Sequence, residues 1–210
     1  MINFIITADK AGRGAKIKGW SGLHSVNSKN NVVGSQMTSI KSCFRDSRTI
    51  YIYGFDNKKV ENYFDKKHQK TILVYNQDYS KFGETYSLSR ASSYLEADTV
   101  IMTGNSIIRP SMFKNFNRKQ SQIFLSHKIP NELGCHINSK NIIEHICYEL
   151  DNYITDFYYI AKKDVGVFRG LITNKKNKNC FIFEIINKMI DHGVMFYPTE
   201  LKSNKLMVSK

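Results

Sequence analysis

The sequence is poor in the residues that staple a chain or carry it across a membrane. Its 210 residues include four cysteines and three prolines. The cysteines, Cys43, Cys135, Cys147 and Cys180, lie far apart with no C-x-x-C pair, which argues against a disulfide framework. No apolar run approaches the ~20 residues needed to span a bilayer. The opening Met1-Ile2-Asn3-Phe4-Ile5-Ile6-Thr7 has no basic residue ahead of its apolar stretch and no evident small-residue cleavage site. It therefore reads as a first strand rather than a secretory leader, and a reducing, cytoplasmic setting is expected, with no membrane partner.

Acidic residues are scarce too, at 18 Asp and Glu against 31 Lys and Arg, a formal charge of +13. A positive surface gains affinity for phosphates by releasing counterions, so a nucleic-acid-binding protein is one reading of the charge. The cations, however, fall in small groups: Lys58-Lys59, Lys66-Lys67 with Lys70, Lys114 with Arg118-Lys119, Lys162-Lys163, and Lys175-Lys176 with Lys178. On helix faces and turns such groups are ordinarily solvated, and the basicity supports an anionic ligand without naming it. A chain of this length buries roughly 70% of the surface its unfolded form exposes, so it needs no metal or disulfide to fold. A single domain over residues 1–210 is expected, with a ligand-binding half at 1–115 and a second half at 116–210.

Apolar patterning sets the coarse organisation. Residues 2–7, Arg48 to Tyr53, Thr71 to Tyr75 and Thr99 to Thr103 read as strands rich in β-branched and aromatic residues. Between them, Gln36, Met37, Ile40 and Phe44 recur at helical spacing, Asp56 is placed to cap a helix carrying Val60, Tyr63 and Phe64, and Thr85 to Leu95 reads as a short helix. The order β-α-β-α-β-α-β predicts an α/β fold: a mostly parallel, Rossmann-type three-layer sheet with helices on both faces and a smaller mixed C-terminal part. Ligands are then expected beyond the carboxyl ends of the strands. In the second half, Ile142, Ile143, Ile146 and Leu150 fit a helix, Asn152 to Ile160 suits a strand, and Cys180 to His192 is a helix with Phe181, Ile182, Ile185, Ile186 and Met189 inward, stopped by Gly193.

Four features in order carry a resemblance. The strand Phe4 to Ala8 leads to Ala11-Gly12-Arg13-Gly14-Ala15-Lys16-Ile17. Val33 to Ile40 opens the first helix. Asn76-Gln77-Asp78-Tyr79 is followed by Thr85-Tyr86-Ser87-Leu88, and Asp98 to Thr103 ends in Gly104-Asn105. This set resembles the sugar-phosphate and choline-phosphate nucleotidyltransferases, whose nucleotide-binding fold is related to glycosyltransferase type A, and it covers about half of the chain. The resemblance implies transfer of a nucleotidyl group from a nucleoside triphosphate to a small sugar or alcohol phosphate, with Mg²⁺ as cofactor. It assigns nucleotide binding to Ala8, Gly12, Arg13, Gly14, Asn76, Thr85 and Ser87, catalysis to Arg13, Lys16 and Asn105, the metal to Asn105, and acceptor binding to Glu184. A glycine loop lets the backbone approach phosphates closely, and cations beside it offset charge on departing pyrophosphate.

The departures from that pattern are specific. Asp9-Lys10 lengthens the turn after the first strand, Ala15 lacks a hydroxyl, and Lys16 replaces a two-pronged arginine. Asn105 stands where the family has an aspartate, and a neutral amide is a poor Mg²⁺ ligand. Asp98 lies at the far end of a strand, roughly 20 Å away. Of the acids Glu184, Asp191 and Glu200, spacing selects none as a second metal ligand, and the chain has no Asp-x-Asp segment. A catalytically inactive nucleotide-binding or scaffold relative is therefore a second reading. Cys135-His136 with His145 and Cys147 fits no common zinc spacing. Trp20, alone among polar residues, is read as a cover for the ligand.

Overall fold

The computed structural model describes residues 1–10, 19–28, 30–106, 109–113, 116–126 and 133–201. Four strands, β1 (Ile2–Ala8), β2 (Ser47–Tyr53), β3 (Ile72–Tyr75) and β4 (Asp98–Thr103), pair in parallel in the order β3-β2-β1-β4. They are separated by α1 (Val32–Cys43), α2 (Asn57–Lys67) and α3 (Glu84–Ser89), the last followed by a 3₁₀ turn at Ser92–Tyr94. Alternation along the strands feeds two cores. Phe4, Ile6, Tyr51, Tyr53, Val100 and Met102 face Val33, Met37 and Ile40 of α1 and Val60 and Phe64 of α2. Ile5, Ile50, Ile52 and Ile101 face the other way, onto Leu88 and two later helices, α4 (Val165–Thr173) and α5 (Ile182–Asp191). Helices on both faces are as the periodicity predicts.

The mostly parallel three-layer sheet is not. After β4 the chain adds β5 (Ser121–Leu125), β6 (Leu133–Ile137), β7 (Ile143–Tyr148), β8 (Asn152–Ile160) and β9 (Phe196–Glu200). β8 runs antiparallel to β4 and to β5, β9 is parallel to β5, and β7 is antiparallel to β9 and to β6. β6 also pairs with β8, so β8-β5-β9-β7-β6 returns on itself. The nine-stranded sheet is mixed and closes at one end into a partial barrel.

The helix expected over Ile142 to Leu150 is β7. Its apolar spacing misleads for a definable reason: His145 pairs with His136 and Ile143 with Ile137, a register shift that spends two residues of β7 against one of β6. The bulge lets Ile143 and Ile146, three apart, both point inward. Phe181, expected inward on α5, precedes that helix and is exposed, whereas Ile182, Ile185, Ile186 and Met189 are buried. Gly193 has φ +83°, the left-handed conformation that ends a helix. Asp56 occupies the N-cap position of α2 without capping it; its carboxylate takes Lys59 Nζ at 2.9 Å instead.

Trp20 is the clearest correction. It is 3% exposed, its Nε1 donates to Tyr51 Oη at 3.2 Å, and its ring meets Tyr51, Tyr63 and Phe64 at centroid distances of 5.9, 5.7 and 6.2 Å. The polar sequence around it hides this core, because its partners come from β2 and α2. Trp20→Ala is expected to lower stability by about 3–5 kcal/mol in urea unfolding; an unchanged midpoint would restore the ligand-cover reading.

Candidate active site

The carboxyl ends of β1, β3 and β4 meet on one side of the sheet. β1 lies between β2 and β4, with Ala8 opposite Tyr53 and Thr7 opposite Thr103. Gly104 completes the contact: its N–H donates to Thr7 O at 2.8 Å, and a Cβ on it would lie 2.3 Å from Ala8 Cβ. Only glycine allows the two tips this approach. Ala8 thus stands at the floor of the β1–β4 junction, as the sequence places it. Gly12, Arg13, Gly14 and Lys16 lie outside the described residues.

One step past β1 the chain places a carboxylate that sequence reasoning treated as a lengthening of the turn. Asp9 is 1% exposed, and its Oδ2 accepts Asn76 Nδ2 at 2.7 Å and Ser87 Oγ at 2.6 Å. Its own carbonyl accepts Phe55 N–H at 3.1 Å, and Asn76 N–H donates to Tyr53 O at 2.7 Å. A buried carboxylate is stable only when its oxygens are bonded, and these donors come from the end of β3 and from α3. Asn76 and Ser87, both read as nucleotide-binding, are therefore brought together, with their side-chain hydrogen bonds directed to protein. A polar residue immediately after an apolar strand was the available signal for Asp9.

The loop between β3 and α3 is fastened from both sides. Asn76 Oδ1 accepts Asp78 N–H at 3.1 Å, and Lys10 Nζ donates to the carbonyls of Tyr79 and Phe82. Thr85, the third of these predicted nucleotide contacts, turns instead toward the second half of the chain: its hydroxyl donates to Cys180 O at 2.8 Å. Gly83 lies so close to Asn179 that a Cβ would come within 2.7 Å of that residue's backbone.

Next to it, Glu84 Oε2 accepts Ile182 N–H at 3.1 Å, filling an otherwise unsatisfied donor in the first turn of α5. Burial pushes the Glu84 carboxyl up to about 7; the Ile182 N–H opposes that, the negative charges of Asp156 and Asp9 add to it, and Lys10 opposes it. Glu184, expected to bind the acceptor, accepts Phe181 N–H at 2.7 Å and so caps the same helix.

At the tip of β4, Asn105 Oδ1 accepts the Thr103 hydroxyl at 2.7 Å, and that hydroxyl lies 2.6 Å from Ser106 Oγ. Gln36 of α1 reaches across to the same tip, its Nε2 donating to Ser106 O at 2.7 Å, while its buried Oε1 has no hydrogen-bond partner among the described residues. Asp156 on β8 adjoins Phe157, the partner of Met102, which sets this acid beside the end of β4. Asp98, at the opposite end of β4, is held by Arg118 and by Lys162 N–H.

The donor set does not favour a resident Mg²⁺. Among the described residues no three His, Cys, Asp or Glu side chains converge as a metal site. Asn105 offers one amide oxygen, already bonded, where the ion prefers charged oxygens.

Glu84 makes a pH dependence testable. Its folded carboxyl titrates near 7 against an ordinary 4.5, so between those values the folded state holds more protons than the unfolded one and stability falls as pH rises. Glu84→Gln retains an acceptor for Ile182 and is expected to flatten that fall, read as the urea midpoint from pH 4 to 8. A slope equal to wild type would assign the pH dependence elsewhere.

No protein-family model matches the chain, and no curated protein matches it by sequence. Solved structures do match its shape. The CTP:phosphocholine cytidylyltransferase of Streptococcus pneumoniae aligns over 97% of this chain and 91% of its own, at 17% identity and a TM-score of 0.78. The inositol-1-phosphate CTP transferase of T. maritima covers 95% and 85%, at 17% identity and a TM-score of 0.73. The nucleoside-diphosphate-sugar pyrophosphorylase of Vibrio cholerae RC9 covers 95% and 91%, at 11% identity and a TM-score of 0.76. At such identities the likeness speaks for architecture, and the chain has the α/β fold of these sugar-phosphate and choline-phosphate nucleotidyltransferases.

Proposed function

We propose that the chain binds a nucleoside triphosphate across the carboxyl ends of β1, β3 and β4 and transfers its nucleotidyl group to a small sugar or alcohol phosphate. The observation that carries this reading is the junction of Ala8 with Gly104 above the Asp9–Asn76–Ser87 cluster, at the side of the sheet where α/β folds bind ligands. Such a reaction needs alignment and charge stabilisation more than covalent help. An oxygen of the acceptor phosphate attacks the α-phosphorus, the bond from that phosphorus to the bridging oxygen of the β-phosphate breaks, and pyrophosphate leaves with the electron pair.

In this reading Gly12 and Gly14 admit the phosphates, and Arg13 and Lys16 offset the charge that builds on the leaving pyrophosphate. Asn76, Ser87 and Asp9 are positioning residues, since they fix where the chain leaves β1. Asn105 faces the reacting phosphates from the tip of β4. Mg²⁺, where used, would arrive on the phosphate oxygens of the triphosphate, which supply the charged ligands that Asn105 lacks.

A second reading, nucleotide binding without turnover, is favoured by that same Asn105 and its closed bond to Thr103. Pyrophosphate release with each nucleoside triphosphate, Mg²⁺ and a panel of sugar and amino-alcohol phosphates separates the two. Release with one pair is expected, and Asn105→Asp is expected to raise it about tenfold or more, by adding a charged oxygen at the tip of β4. Nucleotide binding with no release from either form would select the silent relative; no nucleotide binding at all would end both. Asp9→Asn, which turns an acceptor shared by two donors into an amide, should weaken nucleotide binding roughly tenfold in titration calorimetry.

A further inference from the structure

At the opposite end of the strands, about 20 Å away along the seven residues of β2, lies a second concavity. It has a volume of about 660 Å³, within the size of small-molecule sites. Its floor is Met37, Ile40 and Phe44 from the end of α1, and its wall includes Ser47 and Thr49 at the start of β2. Around the rim stand five cations, Lys41, Arg45, Lys66, Lys67 and Lys70, and no acid among the described residues lines it. Among the described residues none of the five forms an ion pair.

Lysines in the last turn of a helix are ordinary, because they complement its dipole. Here two helix ends, of α1 and α2, deliver theirs to one cleft, and Arg45 and Lys70 join from beyond the helices. His68 adds an independent sign. It lines the cleft, and both of its ring nitrogens are buried with no hydrogen-bond partner among the described residues. A native structure rarely leaves such groups unsatisfied without a ligand or water to meet them. Burial and then the charges of Lys41 and Lys67 lower its titration point.

We propose that this cleft binds a small organic phosphate, its apolar body on Met37, Ile40 and Phe44 and its phosphate among Lys41, Arg45, Lys67 and Lys70. Cations alone would suit any polyanion; the apolar floor and the limited volume of the cleft favour a compact ligand over an extended strand, whose backbone needs a long basic track. The cleft lies at the end of the strands opposite the proposed nucleotide site.

The test uses 1-naphthyl phosphate as the probe, titrated into the full chain while the His68 imidazole proton resonance, assigned by comparison with His68→Asn, is followed by NMR. Saturable one-to-one binding that shifts this resonance is expected. The double variant Lys41→Glu/Lys67→Glu should weaken it about a hundredfold, a factor near ten for each lost charge-assisted contact. Lys162→Glu/Lys163→Glu, with the same change in net charge on exposed residues elsewhere, should leave it intact. Equal losses in the two double variants, an unmoved His68 resonance, or absence of saturation would overturn the proposal. So would a single-stranded oligonucleotide that shifts His68 where 1-naphthyl phosphate does not, an outcome that would make this face a nucleic-acid surface.

Discussion

One buried carboxylate organises the carboxyl end of the parallel strands. Asp9 leaves β1 with its charge already inside the protein, and the charge is tolerable only because Asn76 and Ser87 donate to it from two other elements. Each of those donors is itself tied down: Asn76 to the end of β2 through its backbone, and Ser87 to a helix whose first turn is bonded to Cys180 and Ile182. The tip of the sheet and the start of α5 are thereby linked through a few short polar contacts. The remaining tip, β4, needs no such cluster, because Gly104 brings its backbone directly against Ala8.

The first half of the fold was legible because its signals are local. Apolar runs of strand length alternate with 3.6-residue patterns. The second half resisted for a reason equally physical. β5 owes its pairing to β8 and β9, both distant in sequence, and the bulge opposite His136 gives β7 a spacing that imitates a helix. Trp20 misled in the opposite sense, since its neighbours in sequence are polar while its neighbours in space are Tyr51, Tyr63 and Phe64.

The candidate site divides in the same way. Ala8, Asn76, Ser87 and Asn105 do gather at the strand tips, which their order in the chain foretold. What pattern reading could not supply is how each side chain spends its hydrogen bonds. Thr85 and Glu184 serve the junction with α5, whereas Asp9 and Glu84, acids without a motif, accept the hydrogen bonds of Asn76, Ser87 and Ile182. The rim of Lys41, Arg45, Lys66, Lys67 and Lys70 lies at the opposite end of the sheet.

The return of β6 onto β8 has a bearing on how the molecule behaves among its own copies. An open nine-stranded sheet would present two raw borders of unpaired amides and carbonyls, each a template for pairing with a neighbouring molecule. Curling one border into a ring leaves β3 as the outermost strand, four residues long and preceded by Lys70. A strand so short and so flanked gives an intruding chain little to grip, so the partial barrel serves colloidal integrity as much as shape.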